Sequence, residues 1–276
     1  MKKGINVWSF SGKPLVECFR LARETGFDGI EVALDEKGEI NLQSTEEEIV
    51  KIGDLARENG IGLYSVASGL YWKYSLSSDD AGEREKARSI VKQQLTIARC
   101  LNCDTILVLP GSVKSFAPNS PIIPYDQVYA RALQALRELA PFAEKAGVAI
   151  GIENVWNQFL LSPLEMRDLI DAVGSPAVGA YFDAGNVLAY GHPQHWIPIL
   201  GSRIKKVHIK DYRVAVGGLA GFVDLLAGDV NFPAVMAALR SIGYNDWITA
   251  EMGAYAHYPN VLLRNTSAAM DQILGR

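Results

Sequence analysis

AIGIEN at 149–154 is followed at helix-length intervals by YFDAGN at 181–186, VHIKD at 207–211 and ITAEM at 248–252. Each string opens as a short apolar run and closes on a side chain able to ligate a metal: Glu153, Asp183, His208 and Glu251. Their β-branched content and flanking glycines favour strands over buried helices. Repetition of a strand, a polar end and a helix-sized interval is the pattern of βα units.

Working outward, the same alternation covers the chain. Strand-like runs are Gly4–Phe10, Gly29–Leu34, Gly62–Ala67, Thr105–Leu109, Val148–Asn154, Val178–Asp183, Lys206–Lys210 and Trp247–Met252. Between them the spacing predicts helices over Pro14–Thr25, Thr45–Asn59, Glu83–Leu101, Tyr125–Ala146, Pro163–Val173, Pro193–Leu200, Phe232–Ile242 and Asn260–Leu274. Ser44 or Thr45 can cap the second helix, with Glu47 and Glu48 near its positive end. Ser162-Pro163 with Glu165 reads as a capping box with proline at the first helical position. Gly26, Gly60, Gly147 and Gly243 each stand where a left-handed C-cap would turn a helix into the next strand.

Eight such units in series predict an α/β fold, a single (β/α)8 TIM barrel, as one domain over residues 1–276. The competing doubly wound sheet often carries GxGxxG after its first strand, and the chain has no such string. No Pro/Ser-rich linker or charge block divides it. The longest irregular connections, Gly69–Gly82, Gly111–Pro124 and Tyr212–Asn231, all follow strands and so fall on the face where barrels keep their sites.

The 276 residues are 49% hydrophobic, 21% charged and carry a formal net charge of −4, which leaves no basic footprint for nucleic acid. The N-terminal MKKGINVWSF lacks the apolar stretch of a signal peptide, and no window reaches the roughly 20 apolar residues of a membrane span. A cytoplasmic protein without membrane partners is the expectation. Cys100 and Cys103 form a CxxC string with no second copy, where a helix gives way to a strand, and are read as packing residues.

In a barrel the C-terminal ends of the strands converge on one mouth, so Glu153, Asp183, His208 and Glu251, from strands five to eight, would line one arc of it. Strand parity places Gly151 and Ala149 beneath Glu153 and Thr249 beneath Glu251, leaving room inside; Lys206, with the parity of His208, fits less well. Charges in such apolar runs are costly to bury without partners or a metal. Three carboxylates and one imidazole suit a single manganese, magnesium, cobalt or zinc ion, with positions left for substrate oxygens.

These strings, with SLSSDD at Ser75–Asp80 and GDVNFPAV at Gly228–Val235, resemble the sugar-phosphate isomerase/epimerase superfamily, the xylose isomerase-like TIM barrels that include ketose 3-epimerases. The similarity runs over essentially the whole chain. It implies that Glu153, Asp183, His208 and Glu251 bind the metal, and that Glu153 and Glu251 are also the catalytic acid/base pair. One would remove a proton beside a sugar ketone and the other return it to the opposite face of a metal-steadied cis-enediolate. A keto-inositol lyase begins with the same abstraction; a non-catalytic sugar-binding barrel would not need both glutamates. A trinuclear zinc phosphodiesterase of the same superfamily would need more than the four histidines present.

The chain departs from the free-ketose epimerase pattern at Asn186, where histidine is common, and at Arg213, which matches the substrate arginine only approximately. Those departures point toward the phosphorylated-pentulose epimerases, or toward other relatives that carry DxGN and HxKD strings. Expected substrate contacts, for a small sugar or sugar phosphate, are Lys210, Arg213, Asn186, Trp8, Trp72, Trp156, His257 and Glu31. Homo-oligomers are common in the family, while no exposed seam is legible in the sequence.

Overall fold

The computed structural model describes residues 1–115 and 119–276. Eight parallel strands close into a barrel: β1 Lys2–Asn6, β2 Gly29–Leu34, β3 Gly62–Ser68, β4 Thr105–Val108, β5 Ala149–Glu153, β6 Val178–Asp183, β7 Ile204–Ile209 and β8 Trp247–Ala250. Each pairs with its successor, and β8 closes the ring on β1 through Lys2↔Trp247 to Ile5↔Ala250. Alternating with them run α1 Leu15–Glu24, α2 Glu46–Glu58, α3 Ala81–Cys100, α4 Tyr125–Ala146, α5 Pro163–Val173, α6 Pro193–Leu200, α7 Phe232–Ser241 and α8 Pro259–Leu274. This is the (β/α)8 barrel that the alternation predicts.

Local chemistry sets the boundaries. Thr45 Oγ1 accepts from Glu48 N at 3.3 Å and Glu48 Oε2 accepts from Thr45 N at 2.9 Å, a complete capping box that starts α2. Only half of the box expected at α5 forms. Ser162 Oγ takes the Glu165 N–H at 3.2 Å, but the Glu165 carboxylate goes to Tyr125 Oη and Leu161 N instead. Gly147 ends α4 in the left-handed region, at φ 67°, and β5 follows two residues later.

Two departures bear on the site. The first strand stops at Asn6 rather than Phe10, because Asn6 Oδ1 accepts from Trp8 N at 2.8 Å and winds Val7–Phe10 into a 3-10 turn. That turn brings Trp8 to the mouth, 41% exposed. β7 starts two residues early, at Ile204, and Lys206 lies inside the barrel at its floor. Its Nζ reaches Asp246 at 2.5 Å and Asp104 at 2.6 Å, which accounts for a lysine sharing the parity of His208.

Level with that lysine, Trp247 packs on Tyr64, stacked with centroids 3.9 Å apart. Glycine at β1 and β2 makes this possible. A Cβ on Gly4 would lie 2.1 Å from Tyr64 Oη, and one on Gly29 would lie 2.6 Å from Trp247. Tyr64 Oη then bonds Thr249 Oγ1 at 2.8 Å, two residues before Glu251 on β8.

The three cysteines are free; burial pushes the Cys103 thiol far up and keeps it protonated, in line with a packing role. Of the three long connections, Tyr212–Asn231 holds an unforeseen hairpin, Asp211–Tyr212 against Phe222–Val223. Part of Gly111–Pro124 lies outside the described residues. Among the described residues no helix is long and apolar enough to cross a membrane.

Candidate active site

Glu153 ends β5, Asp183 ends β6, His208 lies in β7 with Asp183 as its register partner, and Glu251 directly follows β8. One ligand atom from each lies within 4.8 Å of all the others. His208 Nδ1 stands 3.1 Å from Glu153 Oε1 and 2.9 Å from Glu251 Oε2, so the two glutamates converge on one imidazole nitrogen from non-adjacent strands. Asp183 is fixed from behind. Its Oδ1 accepts from Asn186 N at 2.7 Å, capping the single turn Ala184–Val187, and its backbone is clasped by the Asn154 amide at 2.9 Å in both directions. Lys210 completes the cluster, with Nζ 2.7 Å from Asp183 Oδ2, 2.8 Å from Glu251 Oε2 and 4.0 Å from Glu153 Oε1.

Beneath the imidazole lies a second carboxylate layer. Glu31 Oε1 accepts from His208 Nε2 at 2.7 Å and from Asn6 Nδ2 at 2.6 Å. Its Oε2 accepts from Ser65 Oγ at 2.7 Å and from Tyr181 Oη. Glu31 has no exposed surface and all four donors are protein groups, so it lies beneath the site and lines neither cavity, where the sequence suggested a substrate contact. It orients the histidine and leaves Nδ1 toward Glu153 and Glu251.

Four carboxylates thus face two cationic groups, Lys210 and a protonated His208, in a largely buried volume. Burial pushes the Glu153 carboxyl up to about 7, against the pull of Lys210 and His208. Burial acts on Glu251 in the same sense, but Lys210 and His208 outweigh it and hold that carboxyl well below its usual range. Burial works against the His208 imidazolium, yet Glu31, with Glu153 and Glu251, lifts its pKa well above the ordinary value. The surplus negative charge is what a divalent cation would neutralise. The donor set fits one: three carboxylate oxygens and an imidazole nitrogen converge, with the Lys210 ammonium already drawn among the same oxygens.

Two cavities that share lining residues lie over this cluster. An inner one of about 160 Å³ reaches Glu153, Asn186, Trp72 and Trp156, an outer one of about 390 Å³ reaches Asp224 and Gly253, and both touch Trp8, Lys210, Phe222 and Glu251. Trp8, Trp72, Trp156, Asn186 and Lys210, expected as substrate contacts, all line the inner cavity. Trp156 is held in place by its Nε1–H to Asn186 O, 2.9 Å, and by edge contact with Tyr212.

Arg213 and His257 do not line either cavity. Arg213 is exposed and spends its guanidinium on Ala227 O at 2.6 Å, bracing the hairpin loop, and His257 lies exposed beyond Glu251. The residues that sequence reasoning missed are Asn154, Tyr181, Phe222 and Asp224. The first two stand inside the quoted strings; the last two arrive through a hairpin whose one local signal is Gly217-Gly218, both at positive φ, between strands of only two residues each.

The Xylose isomerase-like TIM barrel family matches residues 19–272. The Escherichia coli (strain K12) protein SgbU, named as a candidate L-ribulose-5-phosphate 3-epimerase, is 27% identical over 246 residues, covering 84% of this chain and 81% of its own. The L-ribulose-5-phosphate 3-epimerase UlaE of Salmonella paratyphi C is 23% identical over 237 residues, covering 85% and 80%. A crystal structure of D-psicose 3-epimerase in the presence of D-fructose superposes with a TM-score of 0.82 at 22% identity over 100% of both chains, a likeness of fold. With the match spanning nearly its full length, the chain belongs to the xylose isomerase-like TIM-barrel family.

Proposed function

We propose that this protein is a metal-dependent epimerase or isomerase of a keto-sugar, working by proton transfer at the carbon beside the carbonyl. The observation that carries this reading is the approach of Glu153 and Glu251 to the same imidazole nitrogen, at 3.1 and 2.9 Å, from β5 and β8 across the mouth. A ring or chain lying over His208 would have one carboxylate on each side. The similarity to named epimerases supports the same chemistry.

One carboxylate takes the carbinol proton; the C–H electron pair moves toward the carbonyl and gives an enediolate. The other carboxylate returns a proton to the opposite face, inverting that centre, or to the neighbouring carbon, which would be isomerisation. Glu153, Asp183, His208 and Glu251 would hold a divalent ion, whose contribution is Lewis-acid stabilisation of oxyanion charge. Lys210, already bridging Asp183 and Glu251, places a further positive charge at the same edge. Trp8, Trp72 and Trp156 wall the inner cavity and limit the water that could compete for the enediolate.

The test is product analysis after incubation of ketoses and ketose phosphates with the protein and each of Mn²⁺, Mg²⁺, Co²⁺ and Zn²⁺. An epimer of unchanged mass is expected. A product lighter by one water would replace this reading with a dehydratase, and binding without any turnover would leave a sugar-binding barrel.

A further inference from the structure

Lys210 is the residue directly after β7, and a glycine sets its backbone in place. A Cβ on Gly185, in the turn after Asp183, would lie 2.6 Å from Lys210 Cβ and 2.8 Å from Lys210 O. Glycine there lets the chain leaving β7 close on the turn that carries Asp183. The backbone of Lys210 is thus fixed, while its four-carbon stem keeps its rotatable bonds. The side chain is 16% exposed and lines both mouth cavities, so a path outward is open to it.

Atom by atom, Nζ stands on the oxygens that a divalent ion needs. Asp183 Oδ1 is taken by the Asn186 N–H at 2.7 Å, which leaves Oδ2 for a cation, and Nζ lies 2.7 Å from it. Glu31 holds His208 Nε2 at 2.7 Å, so Nδ1 is the nitrogen on offer. Glu251 Oε2 lies 2.9 Å from that Nδ1 and 2.8 Å from Nζ. Carboxylate oxygens bind such ions at about 2.0–2.2 Å. An ion on Asp183 Oδ2 and an ammonium still 2.7 Å from the same atom would lie within about 5 Å of each other. Positive charges that close repel strongly in a partly desolvated cleft.

We propose that Lys210 is a tethered rival of the divalent ion: the ion takes Asp183 Oδ2 and Glu251 Oε2, and Nζ turns outward into the cleft. There it is the one basic side chain among the described residues that line either cavity, placed to donate to an oxygen of the sugar. Metal binding therefore prepares the cleft for the sugar by freeing a donor. The coupling is reciprocal, so Lys210 weakens the ion by the factor by which the ion loosens Lys210. The inference rests on the metal site of the reading above and is independent of its proton transfer.

The experiment has two arms on the full chain. Titration calorimetry with Mn²⁺ compares the protein with Lys210→Met at about pH 8, above the value of about 7 to which burial lifts Glu153. The methionine keeps most of the stem and drops the charge, and should bind Mn²⁺ about 5- to 150-fold more tightly, the usual span of a coupling between sites. In the second arm, mass spectrometry follows reductive methylation of the unaltered protein with and without saturating Mn²⁺. Lys210 should be modified at least about fivefold faster with the ion, relative to the exposed Lys51. That arm needs no variant, so a poorly folded Lys210→Met leaves the test standing. Equal or weaker affinity in a folded Lys210→Met, or methylation of Lys210 that Mn²⁺ slows or leaves unchanged, overturns the inference and leaves the metal site intact. Absence of Mn²⁺ binding by both proteins overturns the metal reading instead.

Discussion

Glu31 Oε1 accepts the Nε2–H of His208 at 2.7 Å in a pocket with no exposed surface, so a carboxylate on β2 decides which nitrogen of a β7 histidine faces the mouth. The remaining acceptor positions of Glu31 are filled by Asn6, Ser65 and Tyr181, and the side chain cannot turn away. Glu31→Gln keeps the shape and still offers an oxygen to Nε2, but removes the charge that raises the basicity of the ring. Titration calorimetry with Mn²⁺ should show metal affinity reduced about 10- to 100-fold. Unchanged affinity would mean that Glu31 serves packing alone.

Under the proposed chemistry, Glu153→Gln and Glu251→Gln each delete one proton-transfer group. Turnover should fall by at least about 10²- to 10⁴-fold in either variant, the ordinary contribution of one general acid or base, with additional loss from weakened metal binding. Steady-state rates at saturating metal, beside a circular dichroism spectrum to verify the fold, make the comparison. A variant retaining more than a tenth of the rate contradicts the assignment of that residue.

Metal binding should depend on pH in a defined direction. Burial raises the metal-free Glu153 carboxyl to about 7, so below that pH the folded protein holds a proton which a cation must displace. Apparent affinity should therefore rise with pH, more steeply below about 7 where both Glu153 and His208 hold protons, and less steeply above it where the His208 proton alone is displaced. The same raised pKa makes the metal-free fold lose stability as pH rises from about 4.5 to 7, because the folded state is then the one that holds more protons. Calorimetry in buffers of different ionisation enthalpy reads the release, and affinity whose pH slope does not change near 7 would remove Glu153 from the ligand set.

At the floor, Gly29→Ala would thrust a methyl group to 2.6 Å from Trp247 and 2.5 Å from the Gly62 carbonyl. Neither neighbour is the end of a flexible chain, so a loss of about 1–3 kcal/mol is expected in urea denaturation. Trp247→Phe in the same chain should recover part of it, a coupling that a double-mutant cycle would register.

The fold and the candidate metal cluster were legible because both rest on short-range periodicity. Apolar runs ending in Glu153, Asp183, His208 and Glu251 mark strand ends, and the barrel closure brings strand ends together whatever their distance in sequence. The orientation of Glu31 was not legible. Its place at a strand end is visible, but its depth follows from the β2–β3 register shift between Ile30 and Val32 and from Tyr181 and Ser65 reaching it from β6 and β3. Arg213 failed for a related reason: a basic residue after β7 can turn toward the cleft or away, and the hairpin that turns it away is set by Asp211 caging three backbone N–H groups. Lys206 looked anomalous only while its partners Asp104 and Asp246, distant in the chain, were out of view.

The central claim is that Glu153 and Glu251 exchange protons with a carbon beside the substrate carbonyl. NMR of substrate and product recovered from D₂O after turnover by the Mn²⁺-loaded protein tests it most directly. Deuterium at that carbon in both sugars, and its disappearance in Glu153→Gln with Glu251→Gln combined, is the expected result; turnover that leaves the carbon fully protonated would contradict the account.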